Sequence, residues 1–412
     1  MKAILISTGD ELACGRTVDT NSAWLAQKLM ERGIQTVSHY TAGDDADQIA
    51  SLIKLAAAQA EIVLVTGGLG PTPDDLTRQA LADVLQSELV LHAESLARMQ
   101  EYFRRRGCEM APANRIQVMI PKGALPLDNE IGTAPGLIAN IESATVVCMP
   151  GVPAEMRAMF DSSVTPALPQ SDVSIAVRVL RVYGLGESNL SEKINDILIK
   201  RQGNVIVGTT VADSLISLTI NASASSDPEA QALADNTAEE LTARLGDMII
   251  GTDSETLASA VGGLLAGRKQ TLALAESCTG GLVGQMITSV GGASEYFPGG
   301  VVSYSNAVKR DLLGVRTETL DEVGAVSEAV AIEMAQGVRR QLASDWAISL
   351  TGIAGPGGGT PEKPVGLVFI GLVGPDIEKV FRHVLASDRE QIRRRAAMAA
   401  LNHLRLALIA DK

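Results

Sequence analysis

The chain has 412 residues, 46% of them hydrophobic, 20% charged and 3% aromatic, with a formal net charge of −13. That length exceeds one hydrophobic core and predicts roughly two to four domains. The acidic balance and the scarcity of aromatic rings argue against a nucleic-acid binder, which needs a basic footprint or stacking platforms.

The opening MKAILISTGDEL carries one Lys and a short apolar run before turn and acidic residues. It reads as a first β-strand and not as a signal peptide, which predicts a cytoplasmic protein. No apolar run reaches the ~18 residues of a membrane span, so no membrane partner is expected. The cysteines, Cys14, Cys108, Cys148 and Cys278, are scattered without a C-x-x-C pair and read as reduced thiols.

From residue 1 to 170, strand and helix signals alternate. AILIS is a buried-strand run, TNSAWLAQKLMERG a helix stopped at Gly33, EIVLVT a second strand, TRQALADVL a helix, and ATVVCMPGVPAEM a strand, turn and helix. Such alternation predicts a doubly wound α/β domain, whose ligands sit at the carboxyl ends of the strands. STGDELACGRTVDTN (7–21) and TGGLGPTPDDLT (66–77) fall at those ends. Gly67, Gly68 and Gly70 permit close approach of backbone N–H groups to a phosphate, beside Thr66 and Thr72. Asp74 and Asp75 have two readings: a helix N-cap pair, or carboxylates holding a divalent cation on a diphosphate. Asp10, Glu11, Asp19 and Asn21 supply more polar groups than a turn requires.

Residues 171–252 change texture, with alternating strands SIAVRVLRVYG and SLISLTINAS and helices ESNLSEKINDILI and PEAQALADNTAEELTARLG. They predict a small α+β middle module. Residues 253–412 return to an α/β pattern, with a first helix capped by Ser254 and a closing helix DREQIRRRAAMAALNHLRLALI.

In this last part, AESCTGG places Ser277 between a strand and a helix. Ser277 reads either as an N-cap for a helix starting near residue 279 or as a nucleophile, which then needs a base. The two histidines of the region, His383 and His403, lie outside its glycine-rich loops. Lys309 in YSNAVKR follows Ser277 by 32 residues, about one βαβ unit, so the two could face each other across adjacent loops. The alternative is a solvated helix lysine. Lys363, flanked by prolines, reads as exposed, and Cys278 reads as packing. The glycine-rich TGIAGPGGGTPEKPVG (351–366) suits a monophosphate, with Thr351 at the strand tip and Gly352, Gly355, Gly357 and Gly358 following. Arg389 and Arg393 could reach a phosphate, and Ser327 could cap a helix or line the pocket.

The motifs TGDEL…VDTN, TGGLGPTPDDLT, N..GTAPG, PGVPAEM, AESCTGG and TGIAGPGGGTPEKPVG occur in an order that resembles the CinA (competence/damage-inducible) family over the whole chain. The resemblance implies an N-terminal MogA/MoaB-like, molybdopterin-binding fold over 1–170 that hydrolyses ADP-ribose to AMP and ribose 5-phosphate with a divalent metal, with or without potassium. Asp10, Asp44, Asp74 and Asp75 are then candidates for metal or ribose contacts. It implies a C-terminal nicotinamide-nucleotide amidohydrolase over 253–412, without a cofactor, converting nicotinamide mononucleotide (NMN) to nicotinic acid mononucleotide and ammonia. Ser277 and Lys309 fall on the family's presumed dyad. Thr279 and Gly280 would offer oxyanion donors, with Gly281, Tyr304 and Asn306 alongside. Domains resembling these commonly form homodimers. The competing expectations are an N-terminal nucleotide or pterin binder without turnover, and a competence-related scaffold.

Overall fold

The computed structural model describes residues 1–168, 173–199, 203–212 and 214–410. The chain divides into two compact units, Met1–Val177 with Ala222–Leu233, and Arg178–Asn221 with Ala234–Lys412.

The first unit contains β1 (Lys2–Thr8), β2 (Gln35–Ala42), β3 (Ile62–Thr66), β4 (Leu89–Leu91), β5 (Met119–Pro121), β6 (Leu125–Leu127), β7 (Gly136–Ile141) and β8 (Ala144–Met149). Its main sheet runs β2-β1-β3-β8-β7-β6. The first four of these are mutually parallel, whereas β7 and β6 add antiparallel. Alternation along the central strands explains why both faces are covered. Ala3, Leu5, Ile62 and Leu64 pack against Leu25 and Leu29 of the helix Thr20–Met30 and Met156 and Met159 of the helix Pro153–Met159. Ile4, Ile6, Val63 and Val65 point the other way, onto Ile49 and Ile53 of the helix Ala46–Ala57 and Ala80 and Leu81 of the helix Thr77–Val84. Each such buried Leu or Ile contributes about 1.5–3 kcal/mol relative to exposure. This is the doubly wound arrangement that the sequence predicts.

The middle module is built from β9 (Ser174–Tyr183), β10 (Val205–Ala212), β11 (Leu215–Ala224) and β12 (Ile249–Thr252), in the order β10-β11-β9-β12. Every second residue of β11 is buried, as its alternating sequence requires. The helices Glu187–Leu198 and Asp227–Leu245 accompany the sheet.

The C-terminal sheet comprises β13 (Leu272–Glu276), β14 (Gly299–Val302), β15 (Trp346–Gly352), β16 (Leu367–Val373) and β17 (Glu378–Val384), ordered β14-β13-β15-β16-β17. β14, β13 and β15 are parallel, and β16 and β17 continue antiparallel. One face carries the helices Leu257–Arg268, Leu282–Thr288 and Arg389–Ala410; the helix Glu328–Gln341 covers the other. Two helix starts differ from expectation. Thr256, not Ser254, caps the helix Leu257–Arg268, in a capping box with Ser259 that satisfies two first-turn donors. The helix after β13 begins at Leu282 with Gly281 as N-cap, so Ser277 caps nothing. Among the described residues no helix is long and apolar enough to cross a membrane.

Candidate active sites

In the first unit, a cleft of about 440 Å³ opens at the carboxyl ends of β1 and β3. The turn after β3 passes through Gly67 at φ +108, where an added Cβ would meet the Thr8 carbonyl. Only glycine tolerates that approach. Asp75 then ties the loop to itself: its carboxylate accepts from the Gly70 N–H at 2.7 Å, the Thr72 N–H at 2.8 Å and the Thr72 hydroxyl at 2.5 Å. Arg78, 2% exposed, donates to the Leu69 and Gly70 carbonyls from below. Burial pushes its guanidinium down to about 10, so it still carries its charge at neutral pH. The following helix has Leu76 at its N-cap and no side-chain cap, so Asp74 and Asp75 are not a capping pair.

Of the residues singled out in the sequence, Glu11, Asp44, Gly67, Gly68, Gly70, Thr72, Asp74 and Asp75 line this cleft. Asp10 lies beside it, its carboxylate accepting from the Asp44 N–H while its own N–H donates to the Asp44 carboxylate. Asn21 and Thr66 brace the strand ends: Asn21 Nδ2 donates to Thr66 Oγ1 at 3.1 Å and the Gly151 carbonyl at 2.8 Å, and Thr66 Oγ1 donates to the Pro150 carbonyl. Asp19 caps the helix Thr20–Met30 and accepts from Ser7. Partial burial raises the Asp44 carboxyl above its ordinary range, helped by the carboxylates of Asp10, Asp74 and Glu11. Thr8, Gln117, Thr133 and Glu155 also line the cleft without having been anticipated. Gln117 is 3% exposed, and its buried Oε1 has no hydrogen-bond partner among the described residues. Its place in the short 3₁₀ helix Pro112–Val118 carries no sequence signal.

In the second unit, a smaller cavity of about 270 Å³ lies at the carboxyl ends of β13 and β15. Glu276, at the end of β13 and 3% exposed, organises the turn beyond it. Its carboxylate accepts from the N–H groups of Gly281 at 2.9 Å, Val283 at 3.1 Å and Gly284 at 2.8 Å. These are first-turn donors of the next helix, which has no other side-chain cap. The turn leaves Ser277 facing the cavity, with its N–H bonded to the Leu350 carbonyl of the neighbouring strand.

Lys309 sits on the helix Asn306–Leu313 and is 1% exposed; Ser277 is 9% exposed. The Lys309 amine lies 2.9 Å from Ser277 Oγ and donates to the Ser303 carbonyl at 2.6 Å. The solvated-lysine alternative is thereby excluded. No carboxylate is bonded to the amine among the described residues, and burial holds its pKa below the ordinary lysine range. Cys278 differs: burial pushes its thiol up to about 11, which leaves no thiolate for nucleophilic attack at neutral pH.

Around the pair, Tyr304, Asn306, Thr351 and Arg389 line the cavity with Gly352, Gly355, Gly357 and Gly358. Arg389 donates to the Gly355 carbonyl and, at 3.2 Å, to the Tyr304 hydroxyl. Thr351 Oγ1 donates to the Ala325 carbonyl at 2.7 Å. Other anticipated residues stand behind the wall. Arg393 donates to the Thr279 carbonyl at 2.7 Å. Thr279 is fully buried, its Oγ1 without a partner among the described residues, the Gly280 N–H is taken by the Ser277 carbonyl, and Gly281 serves as the N-cap. Among the described residues the Cys278 and Thr279 N–H groups have no backbone acceptor. Ser327 caps the helix Glu328–Gln341. Lys363 donates to the Val323 carbonyl, and His383 pairs with His403. Glu276 and the Ser303 carbonyl hold Ser277 and Lys309 in place without having been anticipated, although Glu276 stands next to the serine in the quoted motif.

Family comparisons match consecutive stretches of the chain: a probable molybdopterin binding domain over residues 4–170, a damage-inducible protein CinA KH domain over 177–251 and a CinA C-terminal domain over 254–408. A CinA-like protein of Crocosphaera subtropica is 42% identical over 99% of this chain and 100% of its own length. One from Kosmotoga olearia is 42% identical over 99% of each. The crystal structure of competence/damage inducible protein CihA from Agrobacterium tumefaciens is 39% identical, covering 37% of this chain and 93% of that one, with a TM-score of 0.36.

Proposed function

The chain belongs to the CinA family, with a MogA/MoaB-like N-terminal domain, a KH-like middle module and a CinA C-terminal domain, and we propose that it is a hydrolase acting on pyridine nucleotides. In this reading the C-terminal domain deamidates NMN to nicotinic acid mononucleotide and ammonia. The observation that carries it is the Lys309–Ser277 contact of 2.9 Å at a dry position.

A serine hydroxyl is a weak nucleophile until a base takes its proton. A buried amine whose ammonium form is disfavoured can do so, provided it is held in line. The Ser303 carbonyl supplies that hold, fixing one amine N–H so that the lone pair is free for the Ser277 hydroxyl. Oγ then attacks the carboxamide carbon, and the Lys309 proton passes to the departing nitrogen, releasing ammonia and leaving the nicotinoyl group, still joined to its ribose 5-phosphate, as an ester on Ser277. Water repeats the path through the same amine to release the acid. The developing oxyanion needs donors, and the N–H groups of Cys278 and Thr279, which have no backbone acceptor among the described residues and only the weakly accepting Cys278 sulfur beside them, are the nearest in sequence. Arg389 and the glycine-rich loop provide a cationic, N–H-rich wall for the phosphate.

For the N-terminal domain the reading is hydrolysis of ADP-ribose to AMP and ribose 5-phosphate. Within the Gly67–Thr72 loop the Gly68 and Leu69 N–H groups have no acceptor among the described residues and can meet a diphosphate, and the unpartnered Gln117 Oε1 belongs to a residue of the same cleft wall. The donor chemistry fits a divalent cation: Asp44 and Asp74 face one cleft, and crowding with Asp10 and Glu11 is relieved by positive charge. Among the described residues no group of three or more His, Cys, Asp or Glu is placed to hold a metal. Asp44 and Asp74 would therefore hold a cation shared with substrate phosphates, while Asp75 keeps the loop in shape. Such a cation, when bound, would neutralise charge on the diphosphate.

Two measurements test this. Acid-quenched enzyme turning over NMN should carry the nicotinic acid mononucleotide acyl group as an ester on the Ser277 peptide by mass spectrometry, and a peptide without it during turnover would oppose a covalent path. ADP-ribose with a divalent ion should give AMP, and binding without AMP would favour a non-catalytic N-terminal domain.

A further inference from the structure

A second cavity in the Arg178–Asn221/Ala234–Lys412 unit, about 370 Å³ in volume, belongs to neither site. Its walls follow from simple periodicities. Residues 395, 399, 402 and 403 form one stripe of the helix Arg389–Ala410, which places Arg395, Ala399, Asn402 and His403 on the cavity side. On β17 and just beyond, His383 and Leu385 share one strand face. Tyr183 and Leu185, at the end of β9, close the other side.

The polar content is one-sided. In a chain of net charge −13, the described residues lining this cavity include one arginine and two histidines and no Asp or Glu. Among the described residues Arg395 has no carboxylate partner; Nη1 donates to the Ala386 carbonyl at 3.2 Å, and Nε is buried with no hydrogen-bond partner. A buried, unmatched guanidinium donor costs free energy until an acceptor reaches it. The histidines meet at 2.9 Å between their Nε2 atoms, so one donates and the other accepts. The His403 ring lies flat on Phe381, with centroids 3.6 Å apart and planes at 7°. Burial lowers both imidazoles, and proximity to His383 lowers His403 further, so the pair is neutral beside the arginine. Tyr183 stays a neutral phenol, raised to about 12 by burial against the pull of Arg395. Leu185, Leu385 and Ala399 make the apolar part of the wall, and uncharged Ser214 and Asn402, whose Oδ1 accepts from Arg405, complete it with Gly184.

We propose that this cavity is a binding site for a small organic anion, whose carboxylate or phosphate pairs with Arg395 beside the His383–His403 pair while an apolar or aromatic body lies against Tyr183 and the leucines. The volume is that of a small-ligand pocket. The site stands on its own observations and does not depend on the activity proposed for Ser277.

The histidines make a direct test possible, because the chain has four in all, His39, His92, His383 and His403. In the ¹⁵N-labelled full-length protein, imidazole resonances are followed while sodium benzoate is added at constant pH and ionic strength. His383 and His403 should shift together and saturate, with His39 and His92 unmoved. Benzamide, the uncharged isostere, should bind at least ~10-fold more weakly, as should benzoate to Arg395→Gln, a difference of about 1.4 kcal/mol. Phenyl phosphate against benzoate then identifies the preferred headgroup, and saturable binding of either supports the site. Unmoved His383 and His403 with both anions, equal affinity for benzamide, or undiminished affinity in a folded Arg395→Gln protein would each overturn it. If that variant does not fold, the benzoate–benzamide comparison in the wild type decides.

Discussion

Replacing Glu276 by Gln changes one oxygen of a buried carboxylate to an amide NH₂ and removes one charge. The wild-type group takes three backbone N–H donors, two on Oε2 (Gly281 and Val283) and one on Oε1 (Gly284). Glutamine can keep the Gly281 and Val283 bonds with its carbonyl, but its NH₂ then faces the Gly284 N–H. One buried donor is left unmade, at about 1–3 kcal/mol, and the two retained bonds fall from charge-assisted to neutral strength, about 1 kcal/mol each. The total is about 3–5 kcal/mol, taken from the turn that presents Ser277. Trp346, 1% exposed in this core, reports the unfolding by fluorescence in a Trp24→Phe background. Urea titration of Glu276→Gln should show the midpoint falling with unchanged slope, alongside a lower kcat for ammonia release from NMN at temperatures where the variant is folded. A loss below ~0.5 kcal/mol, within the range of ordinary surface substitutions, would refute the claim that this carboxylate builds the turn.

Other consequences are as concrete. The rate of NMN deamidation should rise with pH through one ionisation below the ordinary lysine value of about 10.4, because only the neutral Lys309 amine accepts the Ser277 proton; a profile that falls across that range would contradict it. The same lowered pKa makes stability rise with pH between the folded and unfolded values, where the unfolded chain binds the additional proton, so Lys309→Met should flatten that alkaline slope in denaturant titrations. Cys278→Ala should keep NMN turnover within a few-fold, since its thiol is protonated at neutral pH; abolition of activity in a folded protein would return the nucleophile to the cysteine. In Gly70→Ala a Cβ collides with the Asp75 carboxylate, so calorimetric affinity for ADP-ribose should fall at least ~10-fold, or about 1.4 kcal/mol.

The alternation of buried runs and amphipathic helices made both α/β domains readable, because a central strand covered on both faces has little choice of composition. The site was readable as motifs and not as geometry. In NAVKRDLL an amphipathic reading buries Val308 and Leu312; the helix instead turns Lys309 and Leu313 inward and leaves Leu312 50% exposed. Tertiary packing of the helix overrode the local pattern, and that rotation is what separates a buried lysine beside Ser277 from a solvated one. Asp75 shows the same gap in the other domain. Its partners are N–H groups of a loop only a few residues away, and hydrogen bonds across a glycine-rich turn leave no periodic trace. The helix caps at Thr256 and Gly281 were missed because neighbouring residues offered equally good cap chemistry.

The account turns on one amine activating one hydroxyl toward a pyridine carboxamide. Ammonia release from NMN by the wild type, Ser277→Ala and Lys309→Met, each confirmed folded by Trp346 fluorescence, tests it most directly. The expected result is turnover in the wild type and losses of at least ~100-fold in both variants, about 2.7 kcal/mol of transition-state stabilisation. A wild-type protein that leaves NMN intact, or a folded Lys309→Met protein with full turnover, would contradict it.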